Sequence, residues 1–113
     1  MPANIRLRSY QTGLRNTAAV DTIKAAMREG WFDFGLEAAR LDGFRDAYGV
    51  YYINDGNHRM VAALEIERVT GDPWAVHALL EHGRWVAVEV APAGHRPMPA
   101  RGWWRWLWNW IDV

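Results

Sequence analysis

Near the middle of the chain, a strand pattern gives way to a helix pattern within three residues, so a tight turn must join the two elements. The run Gly49-Val50-Tyr51-Tyr52-Ile53 is rich in β-branched and aromatic residues, which favour a strand. Asn54-Asp55-Gly56 interrupts it with residues typical of turns. Residues 57 to 69 then place apolar side chains at helical spacing, at Met60, Val61 and Leu64. This arrangement predicts an α+β domain.

The N-terminal part of the chain predicts a second strand and a second helix. Residues 5 to 10 alternate in polarity, which suits a short strand with Arg6 and Arg8 on one face. A helix capped by Asn16 or Thr17 follows and ends at Gly30. Its apolar positions at helical spacing are Val20, Ile23 and Met27. Residues 31 to 48 fit a strand, a short helix or one of each.

The C-terminal part of the chain predicts a hairpin and then a linker. Gly71-Asp72-Pro73 ends the central helix. Residues 74 to 80 and 84 to 90 are apolar runs on either side of a short break. We expect a β-hairpin here, with Gly83 in its turn at a positive φ. Residues 91 to 102 are rich in Pro and Gly, a composition typical of linkers.

Length and composition indicate one domain. The chain has 113 residues, which is enough for a single core. Its 13 Lys and Arg balance 13 Asp and Glu, which argues against a large nucleic-acid surface but allows a small basic site. With no cysteine, it has no disulfides, thiolate metal sites or thiol nucleophiles. It contains no apolar stretch of about 18 residues and no signal-peptide pattern, so we expect no membrane span and a cytoplasmic location for the chain as written.

The turn at residues 55 to 59 is the candidate functional centre. The first N–H groups of a helix are unpaired and carry a partial positive charge, so a phosphate is stabilised there. Gly56 would let such a ligand approach the backbone, and His58 and Arg59 would add positive charge. A structural interpretation stays open: Asp55 or Asn57 caps the helix, Gly56 only makes the turn, and Arg59 is a solvated surface residue.

The sequence around this turn resembles the ParB/sulfiredoxin superfamily. The resemblance covers about residues 5 to 90 and rests on a strand, Asp-Gly-X-His-Arg at residues 55 to 59, and the helix segment Met60-Val61-Ala62-Ala63-Leu64. It implies a small mixed sheet with two main helices and a turn that binds nucleotide phosphates, with Mg²⁺ as a candidate companion. The implied phosphate-binding residues are Gly56, Asn57, His58 and Arg59 in the turn, with Gln11 and Arg15 as candidates in the loop after the first strand. We add Arg6 and Arg8 of the predicted first strand as further phosphate-binding candidates. Three residues separate Gln11 from Arg15, where ParB proteins commonly have one.

Departures from the family pattern narrow the expected activity. Sulfiredoxins have their reactive cysteine at the position of Asn57, so thiol-based repair is excluded. The chain also lacks the helix-turn-helix region with which ParB proteins read DNA. What remains is a nuclease or nucleotide hydrolase with Asp55, His58 and Arg59 as catalytic candidates. The alternative is a non-catalytic nucleotide-sensing or protein-interaction module. Asp42, Asp46 and Asp55 do not have a recognised metal-ligand spacing, so we assign no metal site.

The C-terminal segment is exceptionally rich in tryptophan, with five of the eight Trp between Trp103 and Trp110. We expect residues 1 to 90 to form the main domain and residues 91 to 113 to pack on it. The tryptophans either cover the sheet as a lid or form an interface for a partner or a second copy of the chain. The chain's end also resembles the C-terminal toxin domains of bacterial polymorphic toxins. That resemblance implies an immunity protein as partner and delivery from a longer secreted protein.

Overall fold

The computed structural model describes residues 6–9 and 17–98. Gln11, Arg15 and the tryptophan-rich segment lie outside these residues, so the predictions made for them stay predictions. The described part contains three helices and five strands. In chain order these are β1 (Arg6–Ser9), α1 (Thr17–Glu29), β2 (Asp42–Arg45), β3 (Val50–Asp55), α2 (Asn57–Thr70), α3 (Trp74–His82), β4 (Arg84–Ala87) and β5 (Arg96–Pro97), with one 3₁₀ turn at Glu37–Ala39.

The strands form one mixed sheet in the order β4-β2-β3-β1-β5. β1 runs parallel to β3, and β4 runs parallel to β2. The other two neighbouring pairs are antiparallel. The α+β class and the mixed sheet are therefore confirmed, and the described residues contain three helices where two main ones were expected.

The core lies between the helices and one face of the sheet. Leu7 of β1 and Ile53 of β3 belong to the same buried cluster as residues of all three helices. Because side chains alternate along a strand, Ser9 shares the helix-facing side with Leu7, whereas Arg6 and Arg8 point to the opposite side. The helix residues in this cluster are Val20, Met27, Met60, Val61, Ala62, Ala63, Leu64, Ile66, Ala75, Val76, Leu79 and Leu80.

Most elements with strong local signals form where the sequence predicts them. The predicted strands at residues 5–10 and 49–53 correspond to β1 and β3. Helix α1 ends at Glu29, and Gly30 follows it with a φ of 83°. Helix α2 ends at Thr70, where Gly71 takes the left-handed conformation and donates its N–H to the Glu67 carbonyl at 2.7 Å. Glycine allows this conformation because it has no Cβ.

The predicted hairpin is wrong, because its first arm is helix α3 and not a strand. The Asp72 carboxylate accepts the Trp74 N–H at 3.1 Å and so satisfies one of the unpaired donors at the start of α3. Four apolar side chains then fall on one helical face and are buried: Ala75, Val76, Leu79 and Leu80. Gly83 is extended, with a φ of −68°, so it does not supply the positive φ expected of a hairpin turn.

The proline-rich region supplies a strand to the sheet. β5 pairs with β1 along its outer edge, and Met98 just after it is buried in the core. No helix in the described part of the chain is long and apolar enough to span a membrane.

Candidate functional site

The turn between β3 and α2 is built around Gly56. This residue is the N-cap of α2 and has a left-handed backbone, with φ 103° and ψ 20°. A Cβ built on it would overlap the Leu41 side chain. Backbone conformation and close packing therefore both require glycine here, whether or not a ligand binds.

The N-terminus of α2 has the electrostatic character of an anion site. Its N-cap glycine has no side-chain oxygen that could accept an N–H of the first turn, and that turn contains no acidic residue. The dipole of this 14-residue helix adds a partial positive charge at the same end. An acceptor from outside the helix would therefore be stabilised at this position.

Asn57, the first residue of α2, is the most unusual polar group of the turn. Its side chain is buried, with 2% of the residue exposed. The Ser9 hydroxyl donates a hydrogen bond to Asn57 Oδ1 over 2.6 Å, which fixes the orientation of the amide. Asn57 Nδ2 is buried and has no hydrogen-bond partner in the part of the chain that the structure describes. A buried donor left unpaired costs about 1–3 kcal/mol, so an acceptor supplied by a ligand would be favoured.

Arg59 is partly engaged within the fold. Its Nη1 donates to the Arg40 carbonyl over 2.6 Å, which ties the segment before β2 to the start of α2. Its Nη2 lies 3.9 Å from Asp55 Oδ2. The Asp55 side chain is 74% exposed, so this ion pair contributes little to stability. The guanidinium retains donors that no described residue uses.

The structure brings together only part of the predicted site. Gly56, Asn57, His58 and Arg59 share the turn, with His58 half-buried at the second position of α2. Arg6 and Arg8 lie on the other side of the sheet. Arg6 Nη2 donates to the Tyr48 carbonyl at 3.2 Å, and Arg8 Nε donates to His95 Nδ1 at 3.1 Å.

Ser9 was missed by sequence analysis although it contacts the site directly. The alternation along β1 was visible in the sequence and separates Ser9 from the two arginines. What the sequence did not show is the pairing of β1 with β3, in which Ser9 aligns with Ile53 just before the turn. That register places the Ser9 hydroxyl against Asn57, which lies 48 positions further along the chain.

A second buried polar pair lies on the arginine side of the sheet. The Tyr52 hydroxyl donates to Asp46 Oδ2 at 2.7 Å, and the Tyr52 ring packs edge-on against His95 with ring centroids 4.9 Å apart. Burial, with a further contribution from Asp46, raises the pKa of Tyr52 to about 12. The hydrogen bond from Tyr52 lowers the pKa of Asp46 below its ordinary value.

Among residues 6–9 and 17–98, no group of three or more His, Asp or Glu side chains is arranged to hold a metal ion. Comparison with protein-family models, with curated proteins and with solved structures found no match to this chain.

Proposed function

We propose that the turn formed by residues 56–59 binds a phosphate group, carried by a nucleotide or by a nucleic-acid backbone. The observation that carries the proposal is Asn57, whose buried Nδ2 has no partner among the described residues. Asn57 is also the first residue of a helix whose N-cap makes no side-chain hydrogen bond. The unpaired amide and the uncapped helix end are independent features of one position. A single oxyanion would accept hydrogen bonds from both.

Phosphate fits this position better than a carboxylate ligand does. Its oxygens offer several acceptors in different directions, enough for the first-turn N–H groups, for Asn57 Nδ2 and for Arg59 together. The proposal uses only the backbone of Gly56. A Cβ at this position would overlap Leu41, so the packing already explains why the residue is glycine. The ParB/sulfiredoxin resemblance of residues 55 to 59 points to the same class of ligand.

The enzymatic form of the proposal is hydrolysis of a phosphodiester or nucleotide phosphate bond. Asp55, His58 and Arg59 lie within one turn, with the Asp55 carboxylate 3.9 Å from the Arg59 guanidinium. In this form Arg59 stabilises charge on the phosphoryl oxygens, and His58 takes a proton from the water that attacks phosphorus while the P–O bond to the leaving group breaks. A nucleotide bound with Mg²⁺ is the candidate substrate, and binding without turnover is the alternative.

A thermal-shift experiment with ATP, CTP, GTP and inorganic pyrophosphate tests the binding proposal. A ligand at about 100 times its Kd adds about 2.7 kcal/mol to the free energy of unfolding, so the melting temperature should rise by several degrees. Asn57→Asp should abolish the rise, because it keeps an acceptor for Ser9 but replaces the Nδ2 donor with a second oxygen.

Asn54→Asp is the matched control, since it makes the same change at an exposed residue three positions upstream and should preserve most of the rise. Release of phosphate or of cleaved nucleic acid, measured with and without Mg²⁺, separates hydrolysis from binding. A wild-type protein whose melting temperature does not respond to any of these ligands contradicts the proposal.

A further inference from the structure

The pairing of β5 with β1 brings an arginine to the helix-facing side of the sheet. Ser9 is paired with Arg96, and Arg8 with Pro97, in an antiparallel register. Residues directly paired across two strands project their side chains from the same face, so Arg96 lies on the side of Ser9.

The neighbours of Arg96 confirm this assignment of faces. His95 accepts a hydrogen bond from Arg8, which is on the opposite side of the sheet. Met98, two positions after Arg96, is buried in the core with Leu7 and the helices. Alternation along the strand therefore places Arg96 and Met98 on the helix-facing side.

Arg96 is close enough to the turn to contact a ligand there. Directly paired residues have Cβ atoms about 5 Å apart, and the Ser9 hydroxyl is itself 2.6 Å from Asn57 Oδ1. The long, flexible stem of arginine lets its guanidinium extend from the sheet edge toward the turn. Arg96 is exposed and makes no hydrogen bond or ion pair with any described residue. Among residues 6–9 and 17–98, nothing uses the donors of its guanidinium, whereas Arg59 shares its own with Arg40 and Asp55.

We propose that Arg96 is a further phosphate-binding residue, which closes the site at the N-terminus of α2 from the β5 side. This inference rests on the proposed function of the turn. With Arg59 on the helix and Arg96 on the sheet edge, two guanidinium groups flank the position of the oxyanion. Arginine suits this role because its planar group donates two parallel hydrogen bonds to phosphate oxygens.

Calorimetric titration with inorganic pyrophosphate tests the assignment without any contribution from a base or sugar. Arg96→Ala should weaken binding by about tenfold or more, because it removes the positive charge and both paired donors. Arg96→Lys should restore part of the affinity because it keeps the charge and loses the paired donors. Arg28→Ala is the matched control: this arginine is exposed in the last turn of α1, and its loss should leave the affinity unchanged.

The outcomes separate the two proposals. Binding by the wild type that is equally tight in Arg96→Ala overturns the role of Arg96 and leaves the proposed function of the turn intact. If Arg96→Ala and Arg28→Ala weaken pyrophosphate binding equally, the role of Arg96 is overturned as well, because the effect would then come from net charge alone. Absence of pyrophosphate binding by the wild type overturns both proposals. Circular dichroism of each variant checks that the sheet is retained, and Arg96→Lys keeps the comparison valid if Arg96→Ala does not fold.

Discussion

Asp46 accepts three hydrogen bonds, from the backbone N–H groups of Tyr48 and Val50 and from the hydroxyl of Tyr52. These donors stabilise the ionised carboxylate, which is why its pKa is lowered. The same pairing, together with burial, keeps Tyr52 protonated up to high pH. One tyrosine–carboxylate pair thus makes the stability of the fold depend on pH at both ends of the scale.

Tyr52→Phe should raise the pKa of Asp46 and make the protein more sensitive to acid. A carboxylate whose pKa is lowered by folding contributes stability above its unfolded pKa and loses that contribution as the pH falls through its folded pKa. Without the Tyr52 hydroxyl this loss begins at a higher pH. The acid-unfolding midpoint, followed by circular dichroism, measures the change. Tyr48→Phe is the control because Tyr48 is 79% exposed, and a midpoint that moves equally in both variants would contradict the assignment.

Tyr52→Phe should also make the protein lose less stability at high pH. Folding raises the pKa of Tyr52, so its contribution is complete below the unfolded value of about 10. It is lost as the pH rises through the folded value of about 12. Tyr52→Phe has no such group, so the part of the alkaline destabilisation due to Tyr52 should be absent from this variant.

At the scale of residues, the sequence predicted the local part of the candidate site and missed its distant parts. Gly56, Asn57, His58 and Arg59 are consecutive, so one motif reveals them together. Ser9 and Arg96 reach the same place only through strand register, and a shift of one residue would turn both side chains to the other face. No local pattern in the sequence fixes that register.

At the scale of elements, the comparison of α3 with the expected hairpin shows where local patterns fail. The run from Trp74 to Leu80 is almost entirely apolar, so it matches the period of a buried strand and that of a helix equally well. The hydrogen bond from the Trp74 N–H to the Asp72 carboxylate and the packing against α2 stabilise the helix. Elements with clear start and stop signals, such as α1 and α2, carry no such ambiguity, which explains why they were predicted correctly.

Leu79→Ala and Leu80→Ala should both destabilise the protein strongly. In a helix, adjacent positions can share a broad buried face, and these two residues are 1% and 8% exposed. Each truncation should lower the free energy of unfolding by about 2–4 kcal/mol, as measured by urea denaturation. Val86→Ala in β4, at a residue that is 57% exposed, should cost less than about 0.5 kcal/mol. A large effect from only one of the two leucines would instead indicate the alternation of a strand.

At the scale of the whole molecule, the sheet joins distant parts of the chain along one edge. β1 lies between β3 and β5, so the N-terminal strand has neighbours from the middle and from the C-terminal part of the sequence. Met98 anchors β5 by inserting into the core from just beyond the strand. The position of Arg96 therefore depends on a packing contact two residues away from it.

Met98→Ala should reduce both stability and ligand binding. Removing a buried methionine side chain costs about 2 kcal/mol or more, and the loosened β5 would hold Arg96 less firmly beside the turn. We expect a lower urea midpoint together with weaker pyrophosphate binding at a temperature where the variant is still folded. Val90→Ala, at a 77% exposed residue in the preceding segment, should change neither. Unchanged affinity in a destabilised but folded Met98→Ala protein would show that β5 does not contribute to the site.

The pairing of β1 with β5 also affects how the chain folds while it is being synthesised. Arg8 and His95 are joined by a hydrogen bond across 87 positions of sequence. A ribosome releases β1 long before β5. The edge of β1 that pairs with β5 therefore stays unpaired in the interval. An unpaired edge is able to add strands from other chains. The nascent protein therefore exposes this edge until β5 emerges, and β5 then covers Arg8 and Ser9 and brings Arg96 beside Ser9.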